Sequence, residues 1–127
     1  MRAEAQPYRP DLFQYFGTVY ARRMFGGAGL FSGDVMVGIV IDEFIYLKTD
    51  ENTRKDFIAE GAGPFVYHKR TGEGVSMSYY ELPERLYDEP EEFAEWVRRA
   101  YAVAENSPTV RRKRSIVKSA RKKFTRA

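Results

Sequence analysis

The chain has 127 residues, of which 43% are hydrophobic, 31% charged and 15% aromatic, a balance ordinary for one soluble globular domain. It contains no cysteine, which excludes a disulfide framework, thiol catalysis and any cysteine metal site. No apolar run reaches about 18 residues, so no membrane span is expected; the opening Met-Arg-Ala-Glu-Ala-Gln-Pro lacks the apolar stretch of a signal peptide, and a cytoplasmic location is expected.

The net charge of +3 conceals an asymmetry. Residues 108–127 hold nine Lys or Arg and no acid, which leaves twelve bases against eighteen acids in the rest of the chain, a net of −6. The change falls at Asn106-Ser107-Pro108-Thr109, a turn-like composition, and divides the chain into a body (1–107) and a basic tail (108–127).

In chain order, Leu12, Phe13 and Phe16 predict a short first helix ended by Gly17 in a left-handed conformation. Arg22 to Phe31, Val35 to Ile41 and Phe44 to Lys48 predict three strands joined by the turns Ser32-Gly33-Asp34 and Asp42-Glu43. Asp50 is an expected N-cap for a helix over 51–60 that places Arg54, Phe57 and Ile58 on one face, with Gly61 stopping it. Phe65 to Lys69 and Val75 to Leu82 predict two further strands around the turn Thr71-Gly72-Glu73-Gly74. The last helix opens on a capping-box pattern, Asp88 to Glu91, with Pro90 in its first turn. Its stripe is Phe93, Trp96, Val97, Ala100 and Ala104.

The expected order is α-β-β-β-α-β-β-α, a two-layer α+β domain with a five-stranded antiparallel sheet. In the second strand, plain alternation sends Val35, Val37, Ile39 and Ile41 one way and Met36 and Val40 the other. Both faces are then apolar, which calls for a second cover: the tail, or another copy of the chain in a homodimer.

Catalytic motifs are scarce. Phe25-Gly26-Gly27-Ala28-Gly29-Leu30 leads into a strand rather than a helix and lacks the third glycine of a dinucleotide loop. Its glycines fit a bulge, a sharp bend or side-chain packing on bare backbone, with ligand contact the other reading. His68 is the sole histidine; it fits a structural role at a strand edge or general-base duty, and a lone imidazole argues against a metal site. Glu89, Glu91 and Glu92 match a helix dipole. Tyr67, Tyr79 and Tyr80 fit core or interface packing, or a platform for stacking bases.

The tail spaces Ile116, Ala120 and Phe124 four apart beside Val117, with cations at most other positions, a basic amphipathic pattern. It fits phosphate binding through Arg111, Arg112, Lys113, Arg114, Lys118, Arg121, Lys122 and Lys123, docking on the acidic body or a dimer partner, or a solvated end.

Arg22-Arg23-Met24-Phe25-Gly26-Gly27-Ala28-Gly29-Leu30-Phe31 resembles the opening signature of the TfoX N-terminal domain family, named for regulators of bacterial natural competence. Ile45-Tyr46-Leu47-Lys48, Gly63-Pro64-Phe65-Val66-Tyr67 and Met77-Ser78-Tyr79-Tyr80-Glu81-Leu82-Pro83 follow in the family's order, and the resemblance covers roughly residues 10 to 105. The motif positions are Arg23, Met24, Phe25, Gly26, Gly27, Gly29, Lys48, Tyr79, Tyr80 and Pro83. The resemblance implies a secretion-chaperone-like α+β fold that often dimerises, no catalytic residue, no metal and no cofactor. It also implies a regulatory role through nucleic acid or a protein partner. The family's full-length regulators carry a second, helical domain, where this chain has its basic tail. Protein–protein interaction alone, and small-molecule binding or catalysis using His68, are the alternatives.

Overall fold

A computed structural model of the chain describes residues 6–24, 26–69, 72–108, 110–112 and 115, with the backbone alone at 67–69, 73 and 75–77. The architecture is α+β: one antiparallel sheet with its helices on one side. The strands are β1 (Gln6–Pro7), β2 (Tyr20–Met24), β3 (Gly27–Ser32), β4 (Val35–Ile41), β5 (Phe44–Lys48), β6 (Pro64–Lys69) and β7 (Gly72–Glu81). Helix α1 (Arg54–Ala59) lies between β5 and β6. A 3-10 turn (Glu84–Asp88) and α2 (Pro90–Glu105) follow β7. The spatial order is β1-β2-β3-β4-β5-β7-β6.

Seven strands replace the expected five. The glycine-rich segment folds back on itself: Met24 pairs with Gly27, Gly26 takes φ +80°, and β2 and β3 form a hairpin where one strand was expected. The seventh strand is β1, too short for a pattern, with Pro7 blunting the sheet edge.

The expected first helix is a series of turns. The N–H groups of Leu12 and Phe13 both donate to the Arg9 carbonyl, and those of Phe16 and Gly17 to Phe13. Six residues return too few helical bonds to offset the cost of nucleation, and burial of Leu12 and Phe13 holds the segment instead. Gly17 ends it at φ +136°. The observed order is therefore β-β-β-β-β-α-β-β followed by the 3-10 turn and α2.

The Asp50 carboxylate accepts the N–H groups of Asn52 (3.0 Å) and Thr53 (2.8 Å), capping the turn that leads into α1. Phe57 is buried there, but Ile58, expected beside it, is 55% exposed. Helix α2 starts at Pro90 with Glu89 as its N-cap and no side-chain cap bond; Asp88 closes the preceding 3-10 turn, so the expected capping box does not form. Its stripe of Phe93, Trp96, Val97, Ala100 and Ala104 is buried as the spacing predicts.

The core lies between α2 and one face of the sheet. Leu30, Val35, Val37, Ile45, Leu47 and Tyr80 meet Phe93 and Val97, with Phe13, Phe57 and Leu86 closing the sides. Phe13 packs edge-on against Phe93 at 4.9 Å, and Phe57 against Trp96 at 4.8 Å.

A bulge decides which residues reach that core. Leu30 pairs with Gly38, yet the next residue, Phe31, pairs with Met36, so Val37 is extra in β4. The alternation changes sign there: Val35, Val37 and Val40 face the core, while Met36, Ile39 and Ile41 face the other side. The expected grouping of Val35, Val37, Ile39 and Ile41 on one face is thus split at the bulge.

Candidate functional site

The face of the sheet opposite α2 is the feature that the core does not account for. Cross-strand pairs stand on the same side of a sheet, so one row runs Arg22 (β2), Gly29 (β3), Ile39 (β4), Tyr46 (β5) and Glu81 (β7). Flanking rows add Phe31 with Met36, Met24 with Ile41 and Phe44, and Lys48 with Tyr79. Ile39 is buried, at 9% exposure, although it lies outside the core cluster. Phe31, Met36, Ile41, Tyr46 and Tyr79 are half-buried, and Phe44 is 53% exposed. Among the described residues, α1, α2 and the turns over 9–17 all pack on the opposite face.

The glycines give this face its shape. A Cβ on Gly29 would come within 2.9 Å of Met36 Sδ and Phe31 Cε1 and 3.2 Å of Met24 Sδ. These three side chains therefore close over bare backbone, and a Cβ on Gly27 would strike Ile41 and the Val40 carbonyl. That is the packing role offered by the sequence for the glycine run.

The face carries charge at its rim. The Arg22 guanidinium lies over the Phe31 ring at 5.0 Å and the Lys48 ammonium over the Tyr79 ring at 5.0 Å. Burial lowers the pKa of Lys48 and raises that of Tyr79. Tyr46, edge-on to Phe65 at 5.2 Å, is raised by burial first and then by the carboxylates of Glu81 and Asp42.

A second charged feature borders the core layer. Arg85 binds Glu60 (2.7 Å), Glu89 (2.9 Å) and Glu92 (2.7 Å), and Glu92 also accepts the Trp96 indole N–H at 3.1 Å. These bonds, that from Arg85 first, lower the Glu92 pKa to about 2. Beside this cluster is an open groove of about 760 Å³ lined by Glu43, Phe44, Glu60, Glu81, Glu84 and Tyr87 among others. Among the described residues no three His, Asp or Glu side chains are placed to share a metal ion.

Of the motif positions, Met24, Gly27, Gly29, Lys48 and Tyr79 come together on the open face. Tyr80 instead lies in the core, 2% exposed, 6.0 Å from the Phe57 ring, so Tyr79 and Tyr80 do not form one stacking platform. Arg23 is exposed, Gly26 occupies the hairpin turn and Pro83 is buried at the head of the 3-10 turn. Pro108, Val110, Arg111, Arg112 and Ser115 are helical; Val110 packs against the core, and Arg111 and Arg112 are exposed. Phe25, the side chains of Tyr67, His68 and Met77, and Lys113, Arg114, Lys118, Arg121, Lys122 and Lys123 lie outside the described residues.

Residues that sequence reasoning did not single out supply much of the site. Ile39 and Ile41 reach it through the bulge, and Phe44, Tyr46 and Phe65 through pairing between distant strands. The sequence signals were the excess of apolar residues on strand 35–41 and, for Tyr46 and Phe65, their place in the family-like strings 45–48 and 63–67.

The model of the TfoX N-terminal domain matches residues 11–104, most of the chain and nearly all of the described fold. The chain belongs to the TfoX N-terminal domain family. No individual curated protein matches it. Membership in the TfoX family points to a regulatory, competence-type module, and the match ends one residue short of the end of α2, before the basic tail begins. No helix among the described residues is long and apolar enough to cross a membrane.

Proposed function

We propose that this TfoX-family domain is a non-enzymatic regulatory or adaptor module. It acts in the cytoplasm on a secretion-chaperone-like platform and reaches nucleic acid through its tail. The observation that carries this reading is the charge division: nine cations and no acid in 108–127, attached to a body of net −6. The body repels phosphate and the tail attracts it, so binding is electrostatic and concentrated in the arm. Arg111 and Arg112, exposed on the helical start of the tail, are the first of the contact residues; Lys113, Arg114, Lys118, Arg121, Lys122 and Lys123 extend the series.

The test is a mobility shift with duplex and single-stranded DNA at about 50 mM salt, where phosphate contacts are strongest. The full chain shifts both. Each phosphate-binding cation replaced by Ala lowers the slope of log affinity against log salt by roughly one. No shift at low salt ends the nucleic-acid reading.

The apolar face that no described residue covers supports a second reading, a protein-interaction module in transcriptional or competence-type control. Its test is capture of a partner by the chain with the tail cations intact: loss on Tyr79→Ala assigns the contact to the sheet.

A further inference from the structure

We infer that the open sheet face binds single-stranded nucleic acid, its rings stacking on bases and its cations meeting phosphates. This site rests on the nucleic-acid reading of the tail and adds to it the class of strand that is bound.

A row of rings and cations along one end of the sheet carries the assignment. Tyr20 (β2) pairs with Phe31 (β3), and Phe31 with Met36 (β4); Lys48 (β5) pairs with Tyr79 (β7). Tyr20, 40% exposed, thus joins Phe31 and Tyr79 on this face. Phe31 and Tyr79 each carry a cation, Arg22 and Lys48, at 5.0 Å from the ring centroid. The two pairs stand three strands apart, about 14 Å at the usual spacing. A ring gives any base a stacking surface, and the cation beside it gives the adjoining phosphate a partner. Such pairs reach bases that are unstacked, whereas a duplex keeps its bases inside.

Charge selects this occupant. The charged strand positions described on the face are Arg22, Lys48 and Glu81, two cations against one carboxylate. Glu81 belongs to the other end, where it lines the groove of about 760 Å³ with Glu43, Glu60 and Glu84. Asp34 and Asp50, at the end of the row, stand outside the strands, and the Asp50 carboxylate is turned onto the N–H groups of Asn52 and Thr53. The basic tail begins at the same end: Ser107 and Pro108 line a groove of about 580 Å³ with Lys48 and Arg99. The tail offsets the repulsion of the acidic body at long range, and the rings act at contact. A purely apolar protein segment would bury Arg22 and Lys48 without partners, whereas phosphates pair with both.

The experiment is fluorescence anisotropy of the full chain with labelled oligo-dT of about 12 nucleotides and with a duplex of the same length, at about 50 mM salt. Tyr79→Leu and Tyr20→Leu each weaken the oligo-dT complex about tenfold and leave the duplex complex within about twofold. Tyr79→Phe, which keeps the ring, binds as wild type does. Tyr15→Ala, which removes a half-exposed ring from the turns on the opposite face, changes neither complex. Tyr20 lies outside the core cluster, so its loss is read in a folded chain even where Tyr79→Leu is not tolerated. Oligo-dT binding that ignores both ring losses overturns the site on the sheet; it leaves the tail as the contact and the face to a protein. Ring-dependent oligo-dT binding without duplex binding supports the site and overturns the reading of the tail instead. Binding to neither overturns both.

Discussion

The two faces of this sheet are built from similar residues and do different things. Leu30, Val35, Val37, Ile45 and Leu47 on the inner face are fully buried under α2, with Phe13 and Phe93 edge-on above them. The outer face offers Met24, Phe31, Met36, Ile41 and Tyr46, half-buried, and seals itself laterally around Ile39. Hydrophobicity alone does not distinguish the face that α2 covers from the face that no described residue covers. The distinction lies in what else is present: rigid branched side chains and a helix on one side, and on the other methionines, glycines and charges at the rim.

That contrast can be tested by loading each face in turn. The largest effect belongs to the covered side: Phe93→Ala removes the ring that joins α2 to the turns over 9–17 and lowers unfolding free energy by about 3–5 kcal/mol in urea titrations. Gly38→Ala and Gly29→Ala then compare the two faces at one strand's distance. A methyl on Gly38 meets the Tyr46 carbonyl and, at 3.3 Å, the Leu47 side chain; backbone cannot yield, and about 1–3 kcal/mol is lost. A methyl on Gly29 meets the tips of Met36, Met24 and Phe31, which swing aside at less than about 1 kcal/mol. Equal losses for the two glycines would erase the distinction between a rigid and a compliant face.

The smallest effect is electrostatic and belongs to the rim of the covered layer. Arg85, and after it Trp96, hold the Glu92 carboxyl down to about 2 from an ordinary 4.5. The folded pKa is the lower one, so the stabilisation is present above pH 4.5 and is lost as the pH falls toward 2. The group is exposed and screened, so its share of stability is small. The urea midpoint falls between pH 5 and pH 2, and Glu92→Gln makes that fall shallower without altering its sign.

How much of this was legible depended on periodicity. The strands at 35–41, 44–48 and 64–69 and the α2 stripe stand out because their apolar spacing repeats without interruption. Two local events broke the rule. The run Val35, Val37, Ile39, Ile41 looks continuous, yet Val37 is extra by one in the ladder with β3, and the one local sign of it in β4 is Gly38, an interior glycine of the kind that often marks a bulge. The glycine segment allowed a bend or a bulge in sequence, and chain reversal at Gly26 followed from pairing between its two halves. The open face was legible as a surplus of apolar residues and, in part, through the family-motif positions Met24, Gly27, Gly29, Lys48 and Tyr79 that meet on it. Its membership depends on contacts such as Tyr46 with Phe65 and on β5 lying beside β7, which no local pattern encodes. Of the motif positions, Tyr80 and Pro83 turned out to serve packing, whereas Lys48 and Tyr79 border the open face.

Val37 makes the strand behave like a printed strip with one half-turn in it. Removing that single residue would restore strict alternation between Met36 and Gly38 and leave every other residue facing as it does now, Ile39 and Ile41 outward and Val40 inward. A three-nucleotide deletion there would therefore straighten the ladder and cost one inward-facing valine, without moving any residue from one side of the sheet to the other.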